Sequence, residues 1–342
     1  RFDPHGPERG PAKGSIEVDD LHARDMPWPV RRAMRWHEQR TITPADVPAV
    51  DDLVARKRAD GLSISVGVPA LDEAETIGAI CRAIIDGLGG SLVDEVVVLD
   101  GDSADDTVAQ ARAVGADTVD VRALVPDIPY AGGKGDSLWR SLARLRSDIV
   151  VWIDADIRDF DPSMVVRLVA PLLLDEDLVY VKGFYDRPIE IDGSLQPGGG
   201  RVTELTARPL LSVFFPELTG FRQPLAGEYA GRRDALMRVP FMTGYSVEVG
   251  LLIDLLGLAD LDAMAQVDLT RRVHRNRPLG DLALMSHAIA RTIMRRAARW
   301  GRLQFEQDLD DAHEEIERPP MADLERPPMA DPERRSAAGG EG

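Results

Sequence analysis

The 342-residue chain has a single cysteine, 5% aromatic residues and no long uninterrupted apolar run. One thiol, Cys81, cannot form an internal disulfide, which favours a reducing compartment and hence a cytoplasmic location. No stretch reaches the roughly 18 to 20 apolar residues that a membrane-spanning helix needs, so we expect no stable membrane insertion. The first residues, RFDPHGPERGPAKG, also lack the apolar core of a signal peptide.

Basic residues are in short supply as well. With 41 Lys and Arg against 58 Asp and Glu, the formal net charge is −17. A general nucleic-acid binder needs a basic surface to displace counterions from phosphates, so we expect no nucleic-acid partner. Residues 306–342 hold 12 acidic and 4 basic residues and repeat ERPPMAD with a period of eight. Paired prolines without apolar periodicity predict an acidic, disordered tail with no part in the chemistry.

Short apolar runs alternate with helical spacing from residue 62 onward. SISVGV, DEVVVLD, TVDVRA and DIVVWID are typical of strands, and helices are predicted between them at 76–88, 105–114 and 137–145. Continuous apolar strands alternating with helices predict an α/β fold with a mostly parallel sheet covered on both faces. The predicted regions are a partly disordered N-terminal arm with one basic helix, this α/β half, a second half with further helices, and the tail, at 1–61, 62–160, 161–305 and 306–342.

Polar side chains follow three of the predicted strands. PALDE at 69–73, DGDS at 100–103 and D-A-D at 154–156 each come directly after an apolar run. Ligands of parallel sheets bind beyond the carboxyl ends of the strands, so these groups should meet on one rim. If the last strand continues through the D-A-D motif, both carboxylates share one face, where a Mg²⁺ or Mn²⁺ ion would satisfy them. The alternative is a solvated turn before the helix predicted to start near Asp161.

Two glycine-containing loops carry a cationic side chain. In AGGKGDS the glycines would let the backbone approach a phosphate while Lys134 adds a point charge. In GGGRVT they would let the backbone wrap an anion beside the guanidinium of Arg201 and the hydroxyl of Thr203. An ordinary surface lysine and a flexible hairpin loop would explain the same residues. The phosphate-binding patterns G-x-x-x-x-G-K-[ST] and G-x-G-x-x-G after the first strand do not occur, which argues against P-loop NTPases and dinucleotide oxidoreductases.

Two later segments contain residue types that catalysis or metal binding would use. RRVHRN concentrates positive charge, and on a strand His274 and Asn276 would share a face, where a neutral imidazole could complete the metal site of Asp156. Glu248, in YSVEVG, could be a catalytic carboxylate. Structural explanations stay open for both, because a lone histidine is more often structural than a ligand and a glutamate suits the first turn of a helix.

Several sequence blocks together resemble a known family. SVGVPALDEAETI, VVVLDGDS, GKGDSLWRSL, WIDADI, GGGRVTEL, GYSVEVGLLIDL and RVHRNRPL are similar to the blocks of actinobacterial glucosyl-3-phosphoglycerate synthases, over about 62–302. The resemblance implies a GT-A fold with a Rossmann-like nucleotide-sugar-binding half and an acceptor-binding half. It implies metal-dependent, retaining transfer of glucose from UDP-glucose to the 2-hydroxyl of D-3-phosphoglycerate, with Mg²⁺ or Mn²⁺. A homodimer and a role at the start of methylglucose lipopolysaccharide synthesis are also implied.

The same resemblance assigns roles to residues of this chain. The implied catalytic residues are Lys134, Asp156 and Glu248, and the implied metal ligands are Asp156 and His274. The implied contacts to UDP-glucose are Pro69, Ala70, Leu71, Asp72, Glu73, Ser103, Lys134, Asp154, Ala155, Tyr245, Ser246, Val247 and Glu248. The implied contacts to phosphoglycerate are Gly200, Arg201, Val202, Thr203 and Asn276. Relatives tend to have Asn where this chain has Asp72, so the amide donor of that uridine contact is lost.

Other functions would use the same crevice. A polyprenyl-phosphate glycosyltransferase also starts with a strand, P-x-x-x-E and a D-x-D, but would benefit from an apolar anchor that this sequence lacks. A non-catalytic nucleotide-sugar-binding protein would not need the clustered acceptor-like residues. A nucleotidylyltransferase would carry a glycine-rich, basic loop after the first strand, where this chain has PALDEAE.

Overall fold

The computed structural model describes residues 26–186, 188–191, 194–197, 200–271, 279–304 and 315–322. The helices are α1 (Trp28–Arg40), α2 (Val50–Asp60), α3 (Ile77–Leu88), α4 (Thr107–Ala113), α5 (Lys134–Ser141), α6 (Ser163–Leu174), α7 (Arg208–Phe214), α8 (Arg233–Leu236), α9 (Val247–Ala259) and α10 (Leu279–Arg299). The strands are β1 (Thr41–Ile42), β2 (Ile64–Ala70), β3 (Glu95–Asp100), β4 (Asp117–Asp120), β5 (Ile149–Trp152), β6 (Tyr180–Asp186), β7 (Pro188–Ile191), β8 (Ser194–Pro197), β9 (Tyr229–Arg232), β10 (Phe241–Met242), β11 (Met264–Arg271) and β12 (Glu317–Arg318). A π-helical turn (Thr203–Ala207) precedes α7. None of the described helices is long and apolar enough to cross a membrane.

An eight-stranded sheet runs through both halves of the chain in the order β1-β11-β6-β9-β5-β2-β3-β4. Neighbouring strands are parallel except at β9, which is antiparallel to both β5 and β6. The predicted mostly parallel sheet is therefore confirmed, and β6, β9 and β11 of the second half extend it. Strand β9 places Tyr229 opposite Trp152 on one side and opposite Lys182 on the other.

Strand β3 shows that the sheet is covered on both faces. Val96 and Val98 belong to one hydrophobic cluster and Val97 and Leu99 to the other, because successive side chains of a strand point to opposite faces. The first cluster includes the apolar sides of α3 and α6, and the second includes those of α5 and α9. The near-continuous apolar runs of the strands are typical of this double burial.

Residues 26–61 are part of the fold, so the predicted arm is wrong for them. Strand β1 pairs in parallel with β11 at the edge of the sheet. Trp36 of α1 is 1% exposed, and its Nε1 donates a hydrogen bond to the carbonyl of Met264 at 2.8 Å. Arg35 and Glu38 of α1 are exposed, whereas Ala33 and Trp36 are buried. Composition therefore describes the solvent-facing side of this segment but not its packing.

Helix α5 begins at Lys134, one turn before the predicted Ser137. A Cβ added to Gly135 would lie 1.8 Å from the carbonyl oxygen of Met242 in β10. Only a residue without a Cβ fits there, so glycine allows the start of α5 to lie directly against β10. Gly135 of AGGKG thus serves helix packing, and this packing sets the point from which the Lys134 side chain projects.

Residues 315–322, which lie within the predicted acidic, disordered tail at 306–342, are packed against the body of the protein. These residues, here called the docked segment, include β12, which pairs antiparallel with β10. The side chain of Met321 is 2% exposed. Arg318 is 8% exposed and donates hydrogen bonds to both carboxylate oxygens of Asp136 in α5, at 2.9 and 3.1 Å. The docked segment is therefore a part of the core behind α5.

Candidate active site

The carboxyl ends of β2, β3 and β5 meet at one rim, as their predicted order requires. The backbone N–H of Asp72 donates to the hydroxyl of Ser103 at 3.0 Å and joins the loops after β2 and β3. The hydroxyl of Thr76 donates to the carbonyl of Ala155 at 2.6 Å and joins the loops after β2 and β5. Three of the predicted donor-binding segments therefore form one connected surface.

The loop after β2, at 69–73, is held by its backbone and by Asp72. Asp72 has φ +56°, a left-handed conformation that Asp and Asn adopt more readily than most residues. Its Oδ1 accepts a hydrogen bond from the backbone N–H of Ala104 at 2.7 Å, a role that an Asn oxygen would fill equally. The neighbouring Leu71 is 57% exposed. The outer edge of this loop is thus available to a ligand beside Ser103.

Lys134 is the centre of a cluster of three charged side chains. Its Nζ lies 2.5 Å from Oδ1 of Asp154 and 3.0 Å from Oε1 of Glu248. Lys134 opens α5, Asp154 follows β5, and Glu248 lies in the first turn of α9. Their side chains are 21%, 24% and 7% exposed, so the cluster is shielded but still reaches the surface. The structure brings together three residues that the family resemblance implies at the nucleotide sugar.

The two carboxylates keep Lys134 charged. Burial lowers the pKa of the Lys134 ammonium, but the charges of Asp154 and Glu248 outweigh that effect and raise the pKa above its ordinary value. Lys134 therefore stays protonated although its side chain is mostly buried, and its ammonium group lies at the rim between two carboxylates.

Asp154 and Asp156 do not share the face of one strand. Strand β5 ends at Trp152, and the D-A-D motif lies in the loop and turn beyond it, which corrects the assumption that the strand continues. Asp154 faces Lys134 and also lies against Gly227, where an added Cβ would be 2.1 Å from Oδ2 of Asp154. Asp156 is exposed at the rim. One carboxylate of the motif thus faces the lysine and the other faces solvent.

Of the two predicted metal ligands, Asp156 is the one that lies within the described residues. Within the described ranges, no three His, Cys, Asp or Glu side chains converge on one point. His274, the other predicted ligand, lies outside these ranges. Mg²⁺ and Mn²⁺ favour oxygen ligands and are commonly held by one or two carboxylates together with substrate phosphates. Asp156 is exposed at the same rim as the ammonium of Lys134. Its carboxylate therefore suits a metal ion that is bound jointly by the protein and by the diphosphate of a substrate.

The predicted acceptor segment begins a helix and is not a hairpin loop. Gly200 has φ +83°, and helical structure starts at Arg201 and continues into the π-helical turn and α7. Arg201 is exposed, whereas Val202 and Thr203 are 6% and 5% exposed. The N–H groups at a helix start favour an anion, in agreement with an anion site here. Asn276 lies outside the described residues.

The residues predicted to contact the donor sugar, 245–248, differ in their exposure to solvent. Tyr245 is 49% exposed and Glu248 belongs to the charge cluster, but Ser246 and Val247 are fully buried. The Ser246 hydroxyl donates to the carboxylate of Glu315 in the docked segment. Ser246 and Val247 therefore present no accessible surface to a donor sugar, whereas Tyr245 does.

A buried cationic side chain lies behind Lys134, and the sequence interpretation missed it. Lys182 in β6 is 1% exposed, and its Nζ makes no hydrogen bond to any described residue. This Nζ lies 4.4 Å from the centre of the Tyr229 ring, which is also 6.0 Å from Nζ of Lys134. A lone charge within the apolar run YVKGFY is the signal that could have identified it.

Replacing Lys182 by Met should change the pH dependence of stability. Burial lowers the pKa of Lys182 to about 7, against the opposing charge of Glu248, whereas the ordinary value is 10.5. Between these two values the unfolded chain binds the extra proton, so the free energy of unfolding of the wild type rises with pH. Relative to Lys182→Met, the wild type should gain on the order of 1 kcal/mol per pH unit between pH 7 and 9, measured by urea denaturation.

Lys57→Met is the matched control for that experiment. Lys57 is 5% exposed, but its Nζ lies 2.7 Å from the carboxylate of Asp94, so its removal should destabilise the protein by breaking an ion pair. A difference between Lys182→Met and the wild type that stays constant from pH 7 to 9 would show that Lys182 keeps its proton in the folded state.

The sequence of this chain is similar to a known protein family and to curated proteins. Residues 65–224 match the family described as Glycosyl transferase family 2, a range that contains the loops after β2, β3 and β5. A curated relative, the glucosyl-3-phosphoglycerate synthase of Mycolicibacterium smegmatis, is 47% identical over 286 residues, which cover 80% of this chain and 93% of that protein.

Solved structures show the same similarity in three dimensions. The mannosyl-3-phosphoglycerate synthase of Rubrobacter xylanophilus superposes with a TM-score of 0.77 and 39% identity, covering 86% of this chain and 98% of that one. The glucosyl-3-phosphoglycerate synthase of Mycobacterium tuberculosis, in complex with Mn²⁺, UDP-glucose and phosphoglyceric acid, superposes with a TM-score of 0.71 and 42% identity, covering 83% and 98%.

Proposed function

The chain belongs to the glucosyl-3-phosphoglycerate synthase family of glycosyltransferases, and from this we propose that it moves glucose from UDP-glucose to the 2-hydroxyl of D-3-phosphoglycerate with retention of the α configuration. The observation that carries the proposal is the charge cluster of Lys134, Asp154 and Glu248 at the rim of the sheet. It combines a fixed cation for a leaving diphosphate with a buried carboxylate for the reacting sugar.

The donor would lie along the loops after β2, β3 and β5. The exposed edge at 69–73 and the hydroxyl of Ser103 would contact the nucleoside, while Lys134 would contact the diphosphate. Negative charge grows on the diphosphate as the glycosidic bond breaks, and the ammonium of Lys134 stabilises that charge because its neighbours keep it protonated.

Asp156 and His274 would hold Mg²⁺ or Mn²⁺. When bound, the ion would neutralise part of the charge on the diphosphate. The relative from M. tuberculosis is described in complex with Mn²⁺, UDP-glucose and phosphoglyceric acid, which supports the choice of metal and of both substrates.

The surroundings of Glu248 favour front-face attack over a covalent intermediate. Glu248 is 5% exposed, and its Oε1 lies 3.0 Å from Nζ of Lys134. A carboxylate held in an ion pair is a weak nucleophile, but its charge still stabilises an oxocarbenium-like sugar. The acceptor hydroxyl would then attack from the side on which the diphosphate leaves.

The acceptor would bind at the helix start near Gly200. Phosphoglycerate carries a phosphate and a carboxylate, and the guanidinium of Arg201 together with the N–H groups of the helix start suits both. Asn276 would complete this site. A polyprenyl-phosphate acceptor has no comparable support among the described residues. Homodimeric assembly, a cytoplasmic location and a first step in methylglucose lipopolysaccharide synthesis belong to the same proposal.

Release of UDP from UDP-glucose with Mg²⁺ tests this function. We expect release with D-3-phosphoglycerate to be on the order of 10²-fold faster than without acceptor or with 2-phosphoglycerate, whose 2-position is blocked. Release that does not respond to the acceptor would contradict the proposal. Tight binding of UDP-glucose without any release would instead indicate a non-catalytic nucleotide-sugar-binding protein.

A further inference from the structure

The docked segment is duplicated in the sequence. Residues 315–322 read EIERPPMA, and the next eight residues, 323–330, read DLERPPMA. Six of the eight positions are identical, and the other two exchange Glu for Asp and Ile for Leu. The second octapeptide therefore carries nearly every side chain that the first uses for docking.

The identical positions make the specific contacts. Arg318 donates to both oxygens of the fully buried carboxylate of Asp136, at 2.9 and 3.1 Å. The carbonyl of Pro319 accepts a hydrogen bond from Nε1 of Trp139 at 2.8 Å. Met321 fills the core and is 2% exposed. The identical positions thus include the Arg and Met side chains, the carbonyl of Pro319, and Glu317, whose carboxylate pairs with the buried Arg296.

The two changed positions are conservative exchanges, Glu315 for Asp323 and Ile316 for Leu324. Ile316 is 49% exposed, and its carbonyl accepts a hydrogen bond from the backbone N–H of Thr243 at 2.9 Å, which a leucine would do equally. Close to the N-terminus of α9, the carboxylate of Glu315 accepts hydrogen bonds from the backbone N–H groups of Tyr245 and Ser246, at 2.7 and 3.2 Å, and from the Ser246 hydroxyl. An aspartate keeps the negative charge that this helix end favours, although its side chain is one methylene shorter.

We propose that residues 323–330 are a second ligand for the groove formed by α5, β10 and the start of α9, and that they exchange with the docked segment within one chain. Arg326 would replace Arg318, and Met329 would replace Met321. The connection from the end of α10 would lengthen by eight residues. Loop-closure entropy changes only with the logarithm of length, so this term favours the shorter register by only about twofold.

Disulfide trapping in the full chain tests the exchange. Met242 and Glu317 are directly opposite in the pair of β10 and β12. A disulfide between Met242→Cys and Glu317→Cys therefore shows that the docked segment occupies the groove. Met242→Cys with Glu325→Cys reports the second octapeptide, because Glu325 is the copy of Glu317. The native Cys81 is 0% exposed, and burial raises the pKa of its thiol to about 12, which keeps it out of the exchange reaction.

Met242→Cys with Glu333→Cys is the matched control. Glu333 lies eight residues beyond Glu325, but RRSAAGG follows it instead of RPPMAD. We expect an intramolecular disulfide at Glu325→Cys that forms within about tenfold of the rate at Glu317→Cys, and much slower trapping at Glu333→Cys. Equal trapping at Glu325→Cys and Glu333→Cys would overturn the proposal, as would a Glu325→Cys disulfide that forms only between chains or not at all.

Removal of the anchoring arginines gives an independent measurement. If the octapeptides exchange, Arg318→Ala and Arg326→Ala should each leave Tm within about 2 °C of the wild type, because the other copy still docks. In the double variant, Tm should fall by more than the sum of the decreases in the two single variants. An Arg318→Ala variant as unstable as the double variant would overturn the exchange. None of these measurements requires the proposed reaction.

Discussion

Replacing Asp156 by Ala should lower kcat for UDP release on the order of 10³-fold at saturating Mg²⁺. The reason is that the carboxylate of Asp156 would hold the metal ion that neutralises the diphosphate. Asp156 is exposed at the rim, so its removal leaves no cavity and the free energy of unfolding should change by less than about 1 kcal/mol. Electron paramagnetic resonance of Mn²⁺ in the presence of UDP should show weaker binding of the ion.

Asp159→Ala is the matched control for this prediction. Asp159 is an exposed aspartate in the same loop, three residues further along. Its replacement should leave kcat and Mn²⁺ binding unchanged, since only the position of Asp156 is assigned to the metal. Substantial activity of Asp156→Ala at saturating metal, or an equal loss in Asp159→Ala, would remove Asp156 from the site.

Replacing Lys134 by Met should also reduce kcat on the order of 10³-fold. The variant loses the fixed charge that faces the leaving diphosphate, and it leaves Asp154 and Glu248 together without the ammonium between them. The free energy of unfolding should fall by about 1 to 3 kcal/mol, since a mostly buried carboxylate loses its partner. Single-turnover kinetics and urea denaturation measure the two effects separately.

Lys134→Arg separates charge from position. An arginine keeps the positive charge and should restore most of the unfolding free energy, but its planar guanidinium cannot replace a compact ammonium between two carboxylates. We therefore expect kcat to stay at least tenfold below the wild type. A Lys134→Met variant that retained a tenth or more of the wild-type kcat would show that another group carries the charge of the leaving diphosphate.

The sheet could be predicted because its strands are short, apolar and continuous. DEVVVLD contains the whole of β3, and alternate valines of that strand reach the two hydrophobic clusters. The rim followed from the order of the strands, and Lys134, Asp154 and Glu248 indeed meet there. The end of β5 was the weaker inference, because an apolar run does not show whether the backbone stays extended for another two residues.

Long-range contacts explain most of what the sequence did not reveal. The start of α5 depends on Gly135 lying against Met242, and the docking of Arg318 depends on Asp136, which is 182 positions away along the chain. Paired prolines and acidic composition predict an extended segment in isolation, and they contain no information about a groove that receives it. Lys182 was missed for a different reason, since the significance of a single lysine within the apolar run YVKGFY was overlooked.

The most direct test of glucose transfer to D-3-phosphoglycerate is a competition between two donors. The enzyme is given an equimolar mixture of UDP-glucose and GDP-mannose, with D-3-phosphoglycerate and Mg²⁺, and the product is identified. NMR of the anomeric proton identifies both the transferred sugar and its configuration, which matters because one similar structure is a mannosyl-3-phosphoglycerate synthase. We expect glucose in α linkage to the 2-hydroxyl of D-3-phosphoglycerate. A mannosyl product, a β-linked product or free glucose would contradict this expectation.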